Sequence, residues 1–210
     1  MIPQGGSLHR FILETFAKTG HAPTLKTIQR EFALPSLEEA HSLVAELERR
    51  GAIHRNPGDH AITHAYPFSN EPTAHRVQLA DGPQVYAMCA IDALGMPFML
   101  KQEAKIRSAC AQYSGEVQIQ VQAGQITQQS PERILVWLPT VTERCVAALD
   151  LCPEVNFFCS PEHLKQWNAE HPEHHGQLLT LAQALEYGRK TFATLLQGST
   201  NSAEQCSKTL

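Results

Sequence analysis

The sequence lacks the features that mark several common classes of protein. It has no run of about 18 apolar residues, which a membrane-spanning helix requires. Its start lacks the basic and then apolar pattern of a secretory signal. Lysine and arginine total 17 against 21 acidic residues, a net charge of −4, which does not indicate attraction to nucleic acid or to an anionic membrane. We therefore expect a cytoplasmic protein without a membrane or nucleic-acid partner.

Familiar cofactor and metal motifs are also missing. The six cysteines form no Cys-x-x-Cys pair and no zinc-finger spacing, and there is no glycine-rich phosphate loop and no Gly-x-Ser-x-Gly. In the cytoplasm these thiols are expected to stay mostly reduced. Any metal chemistry would therefore use cysteines that the fold brings together, and they are Cys89, Cys110, Cys145, Cys152, Cys159 and Cys206.

The first third of the chain predicts three helices and a hairpin. Apolar residues at helical spacing indicate a helix from Ser7 to about Thr19, and Thr24 can cap a second helix. Ser36 and Glu39 form a capping box that opens the third. A hairpin over residues 53–63 completes a winged-helix-like domain, placed at residues 1–65. The third helix has a net charge of −2 within residues 36–50, which argues against DNA contact.

The remainder predicts an α+β arrangement, with a mixed or antiparallel sheet and flanking helices. We interpret residues 66–74 as a linker, 75–197 as a second domain and 198–210 as a flexible tail. A helix following Cys89 is expected to be limited by Pro97, and Thr180–Leu196 is expected to be the longest helix. Strands are predicted at residues 75–79, 84–87, 106–110, 117–121, 134–138 and 155–159.

The segment Tyr86-Ala-Met-Cys89-Ala-Ile-Asp92 places a thiol and a carboxyl three residues apart in an apolar run. On a helix both would lie on one face. The positive end of the helix dipole would favour a thiolate at Cys89. Burial would raise the pKa of Asp92 towards neutrality. The alternative is an inert core cysteine beside an ordinary charge at a helix start.

Cys152 is a second candidate, because it opens an apolar segment that reads Leu151-Cys152-Pro153 and continues to Phe157-Phe158. We expect a strand whose first side chain faces the end of the sheet. The alternative is again a core residue at a strand edge. Cys110 lies on one face of the strand at 106–110, and we expect it to be a core cysteine.

Three blocks, taken in order, resemble the alkylmercury (organomercurial) lyase family. They are the Cys89–Asp92 segment followed by Pro97, then Arg107-Ser-Ala-Cys110, then Cys152 ahead of Phe157-Phe158 and Trp167. The resemblance spans most of residues 75–190, and the segment before it is also similar to that family's. It implies that Cys89, Asp92 and Cys152 cleave a carbon–mercury bond. Two thiolates would bind mercury, for which thiolate is the preferred ligand type, and Asp92 would move a proton to the leaving carbon.

The resemblance also implies the partners of the reaction. The products would be a hydrocarbon and Hg²⁺ held by Cys89 and Cys152, with Asp92 assisting. No cofactor is expected. Low-molecular-weight thiols, or a mercuric reductase, would then remove the ion. The residues leave open the choice between alkyl and aryl mercury, the thiol that attacks first and the oligomeric state.

The chain departs from the family pattern at several cysteines. Some members carry a second cysteine directly after the strand cysteine, where this chain has Pro153. Cys145 and Cys159 are additional and match no family role. Two groups of histidines, His60 with His64 and His171 with His174 and His175, are interpreted as solvated loop residues and not as metal sites.

Two readings without turnover stay open beside the enzyme. One is a thiol-lined carrier of soft metals, and the other is a winged-helix regulator that senses them. Asp92 distinguishes both from a lyase, because binding needs only the two thiols whereas protonation of carbon needs the carboxyl as well.

Overall fold

The structure is a computed structural model that describes residues 5–140 and 151–197. Across these residues the chain forms six α-helices and eleven strands, and every strand pairing is antiparallel. The α+β class is therefore confirmed. Within the described ranges, no helix combines the length and the apolar character needed to cross a membrane. The predicted tail at 198–210 lies outside the described residues.

The first three helices and a hairpin lie where the sequence predicts them. Thr24 and Ser36 act as helix caps, since each side-chain oxygen accepts a hydrogen bond from the backbone N–H three residues on. The apolar stripe of the first helix is buried, as are the apolar faces of the other two. The elements are α1 (Gly5–Thr19), α2 (Leu25–Glu31), α3 (Leu37–Arg49), β1 (Ile53–Arg55) and β2 (Ile62–Ala65).

A large sheet begins in this hairpin and continues into the rest of the chain. Its strand order is β1-β2-β3-β5-β4-β6-β7-β8. The added strands are β3 (Phe68–Ser69), β4 (His75–Leu79), β5 (Gln84–Ala87), β6 (Ala104–Ala109), β7 (Glu116–Gln122) and β8 (Gln125–Ser130). The short strand β3 lies inside the segment interpreted as a linker, and Phe68 and Ser69 are both buried there. The division into domains at this segment stays a prediction.

A second, smaller sheet has the order β10-β9-β11. Its strands are β9 (Leu135–Pro139), β10 (Phe157–Phe158) and β11 (Gly176–Thr180), and the accompanying helices are α4 (Ala90–Leu100), α5 (Pro161–Glu170) and α6 (Leu181–Phe192). Neither β8 nor β11 was predicted. Both are mostly exposed and polar, so they lack the apolar alternation that identifies a half-buried strand.

Helix α4 is buried along almost its whole length and packs against α6 through small residues. A Cβ added at Gly95 would lie 2.0 Å from the Phe192 ring, and one at Gly188 would lie 3.0 Å from the backbone nitrogen of Gly95. The two glycines therefore set how closely the helices approach, and so they fix the depth of α4 in the core.

Three sequence predictions were wrong in detail. Helix α4 does not stop at Pro97 but runs through it to Leu100, because burial on all sides outweighs the hydrogen bond that proline removes. The strand expected at 155–159 is reduced to Phe157–Phe158. The longest helix is α1, with 15 residues, whereas α6 has 12.

Candidate active site

Cys89 is the N-cap residue of α4 and not a member of its first turn. Its sulfur takes the place of the usual serine or aspartate oxygen, because the backbone N–H of Asp92 donates to Sγ at 3.4 Å. The backbone on each side of Cys89 is also held: Met88 N–H donates to the Pro67 carbonyl, and Ala90 N–H donates to the Val155 carbonyl. The local geometry therefore fixes the thiol at the start of a buried helix.

Cys152 does not open a strand, as the sequence suggested, but begins a 3₁₀ turn over Cys152–Glu154. Pro153 occupies the first turn, where its fixed φ is favourable and its missing N–H is not needed. The turn is closed by Val155 N–H, which donates to the Cys152 carbonyl at 3.2 Å. Since Val155 also accepts from Ala90, one short segment links the Cys152 turn to the start of α4.

Cys89, Asp92 and Cys152 meet in one buried cluster, although Cys152 is 60 positions from Asp92 in the sequence. The Cys152 Sγ lies 3.5 Å from Asp92 Oδ2 and is placed to donate its proton there. The sulfur atoms and a carboxyl oxygen all lie within 4.8 Å of one another. Cys89, Asp92 and Cys152 are 3%, 0% and 3% exposed. We call this group the carboxyl–thiol cluster.

Burial dominates the electrostatics of Asp92. It raises the pKa of the carboxyl from 3.8 to about 7, because the charged form is cut off from water. The two thiols and the Tyr66 hydroxyl act in the opposite direction, since each stabilises the carboxylate. The other carboxyl oxygen, Oδ1, is buried and has no hydrogen-bond partner among the described residues. The predicted burial of Asp92 and the rise of its pKa towards neutrality are confirmed, and its role as a proton carrier stays a prediction.

The thiols do not ionise as readily as the sequence suggested. Burial raises the pKa of Cys89, and this effect outweighs the hydrogen bonds that favour its thiolate. The pKa of Cys152 is raised well above its usual value, first because its proton is engaged by Cys89 and then because of burial. The backbone N–H of Asp92 at the helix start favours a Cys89 thiolate, as expected, but desolvation is the larger effect and the pKa of Cys89 is raised overall.

Sequence reasoning missed several residues around the cluster. Tyr66 lies in the segment interpreted as a linker, and its own pKa is raised by burial and by the nearby Asp92. His174 Nδ1 lies 2.9 Å from Glu154 Oε2 and so braces the turn that carries Cys152. Neither residue has a spacing in the sequence that would connect it with Cys89, so no pattern could have found it.

The interpretation of the histidines as solvated loop residues is wrong for His64, which is half-buried in strand β2. Across the described residues, two groups of at least three side chains could hold a metal ion, and neither includes His60, His64, His171, His174 or His175. One is the carboxyl–thiol cluster, and the other consists of Cys110, Cys159 and His163. Cys110 is 1% exposed, which confirms that it is a core residue. Cys145 and Cys206 lie outside the described residues.

Two buried thiols beside a carboxyl whose pKa is raised to about 7 are suited to holding a soft metal ion next to a group that can take or give a proton. The comparison with known families is more specific. The family model for alkylmercury lyase matches residues 68–193, and the chain belongs to that family. A second family model, for the LexA DNA binding domain, matches residues 6–60.

Individual relatives agree with this assignment. The chain is 32% identical over 133 residues to an alkylmercury lyase of Streptomyces lividans, and this alignment covers 63% of this chain and 60% of that protein. It is 32% identical over 124 residues to an alkylmercury lyase of Staphylococcus epidermidis, and this alignment covers 59% of this chain and 56% of that protein. The aligned part thus spans less than two thirds of these relatives. The crystal structure of the mercury-bound form of MerB2 has a TM-score of 0.78 at 26% identity and covers 92% of each chain.

Proposed function

We propose that this protein is an organomercurial lyase, which cleaves a carbon–mercury bond by protonolysis and releases a hydrocarbon and Hg²⁺. The observation that carries the proposal is the buried cluster of Cys89, Asp92 and Cys152, in which a carboxyl with a pKa of about 7 lies between two thiols. Membership of the alkylmercury lyase family supports it. Mercury is here the substrate and product, and no resident cofactor is assigned.

The first step is capture of the substrate cation R–Hg⁺ by one thiol. Cys89 is the better candidate, because its sulfur accepts a hydrogen bond from the Asp92 N–H and its pKa is raised less than that of Cys152. The Cys89 S–H bond breaks, its proton leaves with the anion that the substrate brought, and a sulfur–mercury bond forms. Because thiolate is the ligand type that mercury prefers, the metal can displace the proton despite the raised pKa.

The second step supplies the proton that the leaving carbon needs. Cys152 passes its proton to Asp92 Oδ2 at 3.5 Å and binds the metal as a thiolate. Asp92 then gives that proton to the carbon as the carbon–mercury bond breaks, and its carboxylate is restored. The bonds balance: one S–H and one C–Hg bond are lost, and one S–Hg and one C–H bond are gained. A pKa of about 7 suits a group that must both take and give a proton near neutrality.

The surroundings fit an apolar organic group. Helix α4, which carries Asp92, is rich in buried apolar side chains, among them Ile91, Leu94 and Met96. Water exclusion keeps the proton from exchanging with solvent before the bond breaks. The Hg²⁺ left on Cys89 and Cys152 would be removed by low-molecular-weight thiols or by a mercuric reductase in the cytoplasm.

A turnover assay tests the proposal. Reduced protein is incubated with phenylmercury and excess small thiol, and benzene is followed by gas chromatography. Many equivalents of benzene per chain are expected. Tight mercury binding with no benzene from a folded protein would contradict the proposal and leave a carrier.

We also propose that residues 1–65 form a winged-helix-like domain that serves the fold and not DNA. The match of residues 6–60 to the LexA DNA binding domain supports the helical arrangement. The same match favours a second candidate function, a metal-responsive regulator. Against it, Arg55 of β1 is 9% exposed in its side chain and is paired with Glu48 at 2.6 Å, and Arg49 of α3 is paired with Glu46, so both arginines already have acidic partners.

DNA binding distinguishes these two functions. Anisotropy with a labelled random duplex at low salt, with and without Hg²⁺, is expected to show no binding in the micromolar range. Mercury-dependent binding would favour the regulator.

A further inference from the structure

The second cluster, formed by Cys110, Cys159 and His163, lies in a different part of the core from the proposed active site. Cys110 belongs to a small apolar core with Trp137, Phe158 and Leu164, whereas Cys89 and Cys152 belong to the large core. Nothing in the proposed reaction uses these three side chains. Cys159 is, in addition, one of the cysteines that match no family role.

The ligand atoms of this cluster are already gathered. Cys110 Sγ lies 3.4 Å from His163 Nδ1, and the two sulfur atoms and the imidazole nitrogen all lie within 4.8 Å of one another. A tetrahedral ion with bonds of about 2.3 Å to sulfur and 2.0–2.1 Å to nitrogen separates such ligands by about 3.6 Å. Only a small rotation of side chains is therefore needed for one ion to contact all three atoms.

The backbone holds each ligand in place without a metal. Cys110 N–H donates to the Gly115 carbonyl at 2.7 Å, and Ser114 N–H donates to the Cys110 carbonyl at 2.8 Å, which closes a tight turn. Cys159 N–H donates to Cys110 Sγ at 3.4 Å, so a hydrogen bond already holds the two cysteines next to each other. His163 is the third residue after Ser160, the N-cap of α5, and its N–H donates to the Ser160 side chain.

The imidazole is oriented and the cluster can be reached. The Tyr113 ring meets His163 edge-on, with 4.5 Å between ring centres, and the Tyr113 hydroxyl donates to Gln166 one turn along α5. Cys110 is buried, but Cys159 and His163 are only half-buried, so an ion can enter from the surface. Ordered ligands with one open side are what a site that exchanges its metal requires.

We propose that Cys110, Cys159 and His163 form a second metal site, which takes a thiophilic divalent ion of the Zn²⁺ and Hg²⁺ class. Two thiolates and an imidazole suit this class, whereas Ca²⁺ and Mg²⁺ need oxygen ligands. On binding, two S–H bonds break, two metal–sulfur bonds form and both protons go to solvent. No electrons are transferred. The ion would join the end of β6 to the start of α5, and the inference does not depend on the proposed cleavage reaction.

The test uses the full chain with Cys89, Cys145, Cys152 and Cys206 changed to serine, so that Cys110 and Cys159 are the thiols that remain. The protein is titrated with Hg²⁺, and separately with Zn²⁺, in the presence of excess monothiol. Native mass spectrometry counts the ions, and near-ultraviolet absorption reports mercury–thiolate bonds. One ion per chain is expected with at least one of the two metals, and the metal retained identifies which of them the site prefers. Loss of both metals to the monothiol, or two separate mercury adducts, would overturn the proposal.

The histidine gives the sharper variant. His163→Gln is expected to weaken binding by at least about tenfold, since loss of even a ligand's supporting partner costs that much. His175→Gln, at an exposed histidine, is the matched control and should bind as the parent does. Equal affinity in His163→Gln and His175→Gln would remove the imidazole from the site.

A single substitution in the otherwise unchanged chain keeps the test usable if the variant with four serines does not fold. In the otherwise unchanged chain, Cys159→Ser alters a half-buried side chain and should lower by one the number of ions that resist the monothiol, counted with the metal that the site retained in the first test. An unchanged number would also overturn the proposal.

Discussion

The two proposed metal sites of this protein each contain a pair of thiols and differ in the third side chain. In the carboxyl–thiol cluster the third group is Asp92, which is completely buried. In the second cluster it is His163, which is half-buried, beside a half-buried Cys159. The thiols alone can bind a soft ion in both places. A buried acid that can deliver a proton to carbon is present in the first.

Burial explains why the same residue types behave differently. In the first cluster desolvation raises the pKa of Asp92 to about 7, so a proton is available near neutrality. In the second cluster burial and the neighbouring Cys110 raise the pKa of Cys159 to about 11, and there is no carboxyl to receive its proton. The comparison teaches that two cysteines indicate metal binding, whereas the environment of a third group decides whether bond cleavage can follow.

The largest expected effect is the loss of one thiol of the first cluster. Cys89→Ser and Cys152→Ser should each lower phenylmercury turnover by roughly 10⁴-fold or more, the scale found when an enzyme loses its nucleophile. Cys206→Ser, at a cysteine outside the segment that matches the family, is the control and should keep full turnover. Full activity in either active-site variant would show that the role assigned to that cysteine is wrong.

The next effect concerns stability and pH. Because the folded pKa of Asp92 is raised, the folded chain binds more protons than the unfolded chain between about pH 4 and pH 7, and its stability falls as pH rises through that window. Asp92→Asn has no such loss. As pH rises through that window, the free energy of unfolding of Asp92→Asn should therefore increase relative to that of the parent by up to about 1.4 kcal/mol per pH unit, measured by urea denaturation. The control is Asp81→Asn, at an exposed carboxyl. If the difference in free energy of unfolding between Asp92→Asn and the parent did not change with pH, Asp92 would not be desolvated in the folded protein.

A smaller effect follows from the helix that carries the first cluster. Gly95→Ala would place a methyl group against the buried Phe192 ring and should destabilise the fold by about 1–3 kcal/mol. Turnover should fall as well, because Phe192 packs on Tyr66 beside Asp92. Gly6→Ala, which meets no atom within 4 Å, is the control. Metal binding at the second cluster should survive in Gly95→Ala at a temperature where the protein is folded, and its loss would show that the two regions are coupled.

The smallest effect is expected from Tyr66→Phe. The hydroxyl favours the carboxylate form of Asp92, so its removal should raise the pKa of Asp92 further. The pH profile of turnover should move to higher pH while the protein stays folded. Tyr86→Phe is the matched control, and equal profiles for the two variants would exclude an influence of Tyr66 on the proton carrier.

Much of the fold follows from local patterns in the sequence. The caps at Thr24 and Ser36 and the strands β4 and β5 lie where periodicity and capping place them. The shape around Cys152 could not be predicted, because a run that ends in Phe157-Phe158 is apolar whether it forms a strand or a turn. Strand β8 is polar and exposed, so it exists only through its pairing with β7.

The candidate site divides in the same way. Cys89 and Asp92 could be paired from sequence, since they are three positions apart and a helix start was indicated. Their meeting with Cys152 came only from the family resemblance, because no local signal connects residues 60 apart. His163 and Tyr66 were missed, since the contacts of Tyr66 with Asp92 and of His163 with Cys110 depend on tertiary packing.

The central claim is that Asp92 turns a mercury-binding site into one that cleaves carbon–mercury bonds. The most direct measurement is a single-turnover experiment on Asp92→Asn with one equivalent of phenylmercury, in which bound mercury and released benzene are both quantified. The account predicts that one phenylmercury is bound per chain, as in the parent, and that benzene forms at least about 100-fold more slowly. Benzene formation at the parent rate, with mercury bound, would contradict it.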